Sequence, residues 1–283
     1  MVRIVSDTST LYSSDQAREA GFSVAPLSVT IAGKSYREFD EISSEDFVSI
    51  IQQGHMPTSS QPAIGEVAAI YDQFPEDEIV NISMAHGLSG TYTSAVAAAQ
   101  LAGEERNITV INSRTLCGPH RFLVEHAAQL AKLGKSAAEI IEKMEELMKT
   151  GKSFLIPADF AYLRRGGRLS PLVSYVGQAI RLAPVLTQTE NGEQLIMSGV
   201  CRGFVQAIQH VAKSLTNWGV GENWRIYITH ADARHLADQA HELLKKHFPA
   251  AVFEIHPLSP AFITQGGPGC VAVQVIRDAK TDG

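Results

Sequence analysis

Apolar positions along this chain alternate between short β-branched runs and stripes of helical period. MVRIVSDTST opens with such a run and turns to Asp7 and hydroxyl residues, the pattern of a parallel strand meeting a loop at its C-terminal end. FSVAPLSVTIAG is a second segment of that kind. In EISSEDFVSIIQQG, Ser43 and Ser44 precede acidic residues and an apolar stripe, which predicts a capped amphipathic helix stopping at Gly54. The loop HMPTSSQPA leads to a helix over IGEVAAIYDQF, then a strand over EIVNIS, a helix over TYTSAVAAAQLAGEE and a strand over ITVINS. Pro119 to Lys149 reads as two helices broken at Leu133-Gly134-Lys135. Strand and helix in alternation predict a parallel sheet for the first half.

From SFLIPAD onward the pattern changes. A Gly/Arg turn, YLRRGGRLS, is followed by a helix and then by APVLTQTENGEQLIMSGVC, whose Asn191-Gly192 between two β-prone runs is a strong hairpin signal. A helix from Arg202, the strand WRIYITH, a helix to Phe248 and two strands around the glycine turn near Gly266 complete the chain. The second sheet is therefore expected to be mixed. The fold class is α/β in two domains, residues 1–152 with a parallel sheet and residues 153–283 with a mixed one.

Composition narrows the class. The 283 residues are 45% hydrophobic and 19% charged, enough for at least one full core. With 24 basic and 30 acidic residues the formal charge is −6, which offers neither a nucleic acid nor an anionic membrane an electrostatic footprint. The N-terminus lacks a signal-peptide core and no apolar run reaches bilayer length, so no stable membrane insertion and a cytoplasmic location are expected. Cys117, Cys201 and Cys270 are odd in number and widely spaced, which fits neither a disulfide framework nor a metal motif; reduced, buried thiols are expected.

The chemistry concentrates in turns. NISMAHGLSGTYTSAVAAAQ hands a strand to a helix through a hydroxyl-rich turn, open to several uses. Gly87-Leu88-Ser89-Gly90 resembles a nucleophile elbow, but the second glycine of G-x-S-x-G is replaced by Thr91, which disfavours a serine hydrolase built on Ser89. Ser89, Gly90 and Thr91 suit a helix start whose free N–H groups and dipole favour an anion, or a plain cap. No GxxxxGK[ST] or complete GxGxxG occurs, so a nucleotide cofactor is not expected. Thr58-Ser59-Ser60-Gln61-Pro62 precedes another helix at the same sheet edge. Arg164, Arg165 and Arg168 bracket Gly166-Gly167, apt for an anion or for solvent. Gly266-Gly267-Pro268-Gly269 forms a tight turn or an anion-binding nest. His230 and Asp232 are close enough for local hydrogen bonding.

Together, IVSDTST, VAPLSVTIAGKSYRE, TSSQPA, LSGTYTSA, YLRRGGRLS, the arginine of GVCRGF and TQGGPG resemble the DegV family of bacterial fatty-acid-binding proteins, which includes the binding subunits of fatty-acid kinase. The resemblance runs nearly end to end. It implies a non-enzymatic protein that buries the tail of one long-chain fatty acid, holds its carboxylate at the domain boundary and presents it to a separate ATP-dependent kinase. The family's carboxylate-binding hydroxyls fall on Ser59, with Thr58 beside it, and on Ser89, with Gly90 allowing close approach. Arg202 and Gln265 match positions near the head group, and Gln265 stands where the family commonly has histidine, an amide that cannot titrate. The resemblance leaves Arg164, Arg165 and Arg168 as a partner-docking or phosphate-facing turn. A tail of about 15 methylenes at about 0.8 kcal/mol each supplies on the order of 12 kcal/mol before ordering costs. A binding module for another apolar carboxylate, without a kinase, is the alternative.

Overall fold

The computed structural model describes residues 1–103, 105–169 and 182–279. β1 (Val2–Asp7) ends in a short 3-10 turn, Thr8–Thr10, and α1 (Ser14–Ala20) follows behind a capping box made by Ser13 and Gln16. FSVAPLSVTIAG, read as one segment, is two strands. β2 (Ser23–Ala25) pairs with β1, whereas β3 (Ser28–Ile31) leaves the parallel sheet after Pro26, which has no N–H to give a ladder. β4 (Lys34–Arg37) and β5 (Thr58–Ser60) flank β3 in a small antiparallel sheet, so the TSS of the expected loop is a strand. Between them lies α2 (Ser44–Gln52), capped by the Ser43 hydroxyl on the Asp46 N–H.

α3 (Ile64–Tyr71), β6 (Glu78–Ser83), α4 (Thr91–Ala102) and β7 (Ile108–Asn112) complete the parallel sheet, in the order β2-β1-β6-β7. α5 (Cys117–Lys132) and α6 (Ala137–Met148) follow, separated at the expected break, where Gly134 takes a left-handed φ of 82°.

The mixed sheet contains β8 (Lys152–Ile156), then, after the short helix α7 (Phe160–Gly166), β9 (Leu182–Gln188) and β10 (Leu195–Arg202). The helix expected after the Gly/Arg turn falls largely in residues 170–181, outside the described residues. α8 (Phe204–Asn217), β11 (Trp224–His230), α9 (Arg234–His247) and β12 (Val252–Pro257) lead to α10 (Pro260–Gly266) and β13 (Val271–Arg277). The strand order is β10-β9-β8-β13-β11-β12, antiparallel except for β11 with β12.

Two stretches expected to be turns are helical. Arg164 and Arg165 ride the last turn of α7, and TQGG, expected to join two strands directly, ends α10, whose start is marked by Ser259 and Pro260.

The layers follow from which faces are apolar. α3 and α4 cover one face of the parallel sheet through Val67, Tyr71, Ala95 and Ala98. α5 and α6 lie between the two sheets, where Val80 and Ile82 share a core with Tyr227 and Ile276. α8 and α9 cover the outer face of the mixed sheet. β13 is consequently buried from Val271 to Ile276, and all of these but Gln274 are apolar. The tip of the β9–β10 hairpin crosses to the first half, where the Glu193 backbone packs on Gly87. Cys117 and Cys270 are buried free thiols, and Cys201 on β10 is half-buried rather than buried. No described helix is long and apolar enough to cross a membrane.

Candidate functional site

The hydroxyl-rich turn leaves the C-terminal end of β6 beside that of β1. Asp7 anchors it: one carboxylate oxygen accepts the Met84 N–H and the other the Ser9 N–H, each at 3.0 Å. Beyond Gly87 the chain turns into α4, whose N-cap is Gly90 and which has no side-chain cap on that residue. The Ser89 hydroxyl instead accepts from the Thr91 N–H at 3.3 Å and pairs with the Thr91 hydroxyl at 2.7 Å. The positive end of a twelve-residue helix therefore faces this turn. Gly90 lies against the Gln61 amide, which a Cβ there would displace.

Ser59 reaches the same place from β5. Its Oγ accepts from Gln265 Nε2 at 3.1 Å, a contact between residues 206 apart in sequence. Gln265 Oε1 is buried against Gly166 and has no hydrogen-bond partner among the described residues. Arg168 closes the ring: its Nε donates to Leu88 O at 3.2 Å, next to Ser89, and its guanidinium also donates to Gly166 O. The structure thus brings Ser59, Gln265, Arg168 and the turn carrying Ser89 and Gly90 into one connected group. Arg168, expected on a docking turn, is half-buried within it.

α10, which carries Gln265, is held at its start by Glu38. That carboxylate is fully buried, accepts the Ala261 N–H at 2.8 Å and accepts a hydrogen bond from the Thr8 hydroxyl. Burial pushes its carboxyl up to about 7, against the lowering effect of those donors.

Next to the polar group lies an apolar cavity of about 100 Å³, walled by Leu88, Leu163, Leu186, Leu195, Phe262 and Cys270, with Arg168 and Gln265 also lining it. It is narrower than the roughly 300–1,000 Å³ usual for ligand pockets, so a long ligand enters only as these walls part. A wider cleft of about 630 Å³ between the halves, near Arg114, Glu145, Lys149 and Lys152, shares Ser153 and Gln188 with this cavity. Its lining mixes those charged side chains with Ile111, Met148 and Trp218.

Other expected residues lie apart. Thr58 and Ser60 are exposed while Ser59 is half-buried, as alternation along β5 requires, so Thr58 faces away from the Ser59 side. Arg202 is exposed at the end of β10, seven residues or about 23 Å of strand from the Leu195 that lines the cavity. Arg164 and Arg165 are exposed, Arg165 lying over the Tyr162 ring at 4.6 Å. His86 packs its ring on Tyr92, and His230 accepts the Ala233 N–H, so neither is paired with Ser89. The glycine turn is not an open nest: the Gly267, Gly269 and Cys270 N–H groups donate to Ile263, Ala231 and Gly267 carbonyls. Among the described residues no three His, Cys, Asp or Glu side chains form a metal cage. Gln61 and Gly166 lie in turns the sequence singles out, but nothing in it marks their closeness to Gly90 and Gln265.

The same architecture is found in known proteins. A DegV domain-containing protein of Lactococcus lactis is 31% identical over 280 residues, covering 97% of this chain and 98% of that protein. One from Staphylococcus aureus is 28% identical over 277 residues, covering 97% and 98%. Among solved structures, DegV, a fatty acid binding protein from Bacillus subtilis, matches with a TM-score of 0.86 at 27% identity, over 98% of this chain and 99% of that one. A DegV family protein from Thermus thermophilus, described by its fatty acid binding, matches with a TM-score of 0.88 at 25% identity, over 98% and 99%. The sequence model of the DegV family, described as uncharacterised proteins, matches residues 1–278, and this chain belongs to that family.

Proposed function

We propose that this protein binds a long-chain fatty acid, with its carboxylate at Ser59 and Ser89 and its tail in the apolar cavity. The observation that carries this reading is the junction itself: a cavity lined by leucines and Phe262 is also lined by Gln265 and Arg168, which bond to Ser59 and to the Leu88 carbonyl next to Ser89. A carboxylate there meets neutral donors and a helix dipole, with the Arg168 guanidinium nearby, so its charge is compensated as it leaves water. The Bacillus and Thermus proteins, described as fatty-acid-binding, support the same ligand class. Ser59 and Ser89 belong to residues 1–152, Gln265 and Arg168 to residues 153–283, so the head group bridges the two proposed domains.

The second part of the proposal is that the carboxylate is offered to a separate ATP-dependent kinase. Ser59 and Ser89 are half-buried rather than sealed, and the exposed Arg164 and Arg165, on the helix α7 whose Gly166 meets Gln265, are the proposed docking element. Arg202, at the far end of β10, has no part in holding the carboxylate in this reading.

Solvent extraction of the purified protein with mass spectrometry tests the first part, with about one fatty acid per chain expected. An empty extract together with no binding of added fatty acid to the delipidated protein overturns it; recovery of a different apolar carboxylate reassigns the ligand. Acyl phosphate formation by a fatty-acid kinase and ATP, dependent on this protein, tests the second.

A further inference from the structure

Apart from Phe154 of β8, three neighbouring strands of the mixed sheet line the cavity with alternate residues. These are Ala272 and Gln274 on β13, Leu155 and Ser153 on β8, and Leu186 and Gln188 on β9. Their registers align them in rows. Ala272 pairs with Leu155, and Leu155 with Leu186, which makes one row wholly apolar. One step further, Gln274 pairs with Ser153, and the same antiparallel register sets Gln188 beside Ser153, which makes the next row wholly polar.

The apolar row is nearer the head-group end. Cys270, which packs on Gly266 of α10, precedes Gln274 by four residues, or about 13 Å of strand. Gln274 is locked in place: Nε2 donates to Leu116 O at 3.0 Å and Ser153 Oγ at 3.2 Å, and Oε1 accepts the Gly118 N–H at 3.3 Å. Ser153 and Gln188 also line the wider cleft of mixed polar and apolar character. A methylene pushed past the apolar row therefore meets amides, a hydroxyl and water, and gains none of the transfer energy that the leucines provide.

We infer that the polar row of Gln274, Ser153 and Gln188 ends the dry part of the tunnel and sets the acyl-chain length this protein prefers. The inference rests on the fatty-acid reading above. Gln188 and Ser153 are its specificity-determining residues, and the chain end they accept without penalty is a methyl stopping at the apolar row or a terminal hydroxyl reaching the polar one.

The test is a titration of delipidated protein with saturated fatty acids from dodecanoate to eicosanoate, for the parent, Gln188→Leu and Ser153→Ala. The two substitutions act on different strands, so one misfolded variant leaves the other to report. Parent affinity should rise about fourfold per added methylene, equivalent to ~0.8 kcal/mol, and then level off at one chain length. In the variants the plateau should move to longer chains. At the parent's plateau length, exchanging the terminal methyl for a hydroxyl should cost the parent less than tenfold and Gln188→Leu more than the parent. A parent series without a plateau, or variants that level off where the parent does, overturns the inference while leaving fatty-acid binding intact. Failure of every chain length to bind the parent overturns the fatty-acid reading and this inference with it.

Discussion

Ser89 serves two partners, the Thr91 backbone at the start of α4 and the ligand proposed to sit before it. Removing its hydroxyl separates them. Ser89→Ala should weaken fatty-acid binding by about 1–3 kcal/mol, read by titration, while the lost N–H contact lowers stability by no more than about 1 kcal/mol. Unchanged affinity with a lower melting temperature would make Ser89 a cap and nothing more. Gly166 gives a sharper contrast, because a Cβ there would strike Gln265 Oε1 and drive the amide off Ser59. Alanine is also the better helix former, by up to about 1 kcal/mol within a helix. Gly166→Ala is therefore expected to weaken binding by about 1 kcal/mol or more without a matching fall in melting temperature. Loss of stability with binding intact would show that Gln265 has no part in holding the head group.

At the scale of elements, Glu38 ties the turn after β1 to the start of α10, and so to Gln265. Its carboxyl is raised from 4.5 to about 7 by burial. Between those values the folded protein keeps a proton that the unfolded chain releases, so the contribution of Glu38 is fully present below about 4.5 and is lost as pH rises to about 7. Glu38→Gln should abolish that decline, measured as melting temperature against pH for both proteins. Burial lowers the pKa of His120, which acts in the opposite sense, losing stability as pH falls, and the comparison with the variant cancels it. Parallel curves for parent and variant would show that Glu38 does not titrate in this range. The sequence placed Glu38 at the end of VAPLSVTIAGKSYRE, but nothing there marks that carboxylate as buried.

For the whole molecule, a ligand that spans both halves binds only the folded chain. At about a hundredfold excess over Kd it adds about 2.7 kcal/mol, so delipidated protein should melt several degrees higher once a long-chain fatty acid is restored. No shift at saturating ligand would contradict a carboxylate held by Ser59 and Gln265 together. The sequence by itself determined the alternating layers, the α5–α6 break and the Asn191-Gly192 hairpin, because hydrophobic period and turn chemistry are local properties. Seven-residue helices such as α7 and α10 carry too short a period to show, and their Gly-rich ends read as turns. Ser59 and Ser89 stood out as hydroxyls in turns, yet their link through Gln265, Gly166 and Arg168 did not. Only the tertiary structure moved Arg168 inward, set Arg202 apart and aligned Gln274, Ser153 and Gln188 in one row. Those relations join residues far apart in the chain, and they come from strand register and helix docking, which no local pattern encodes.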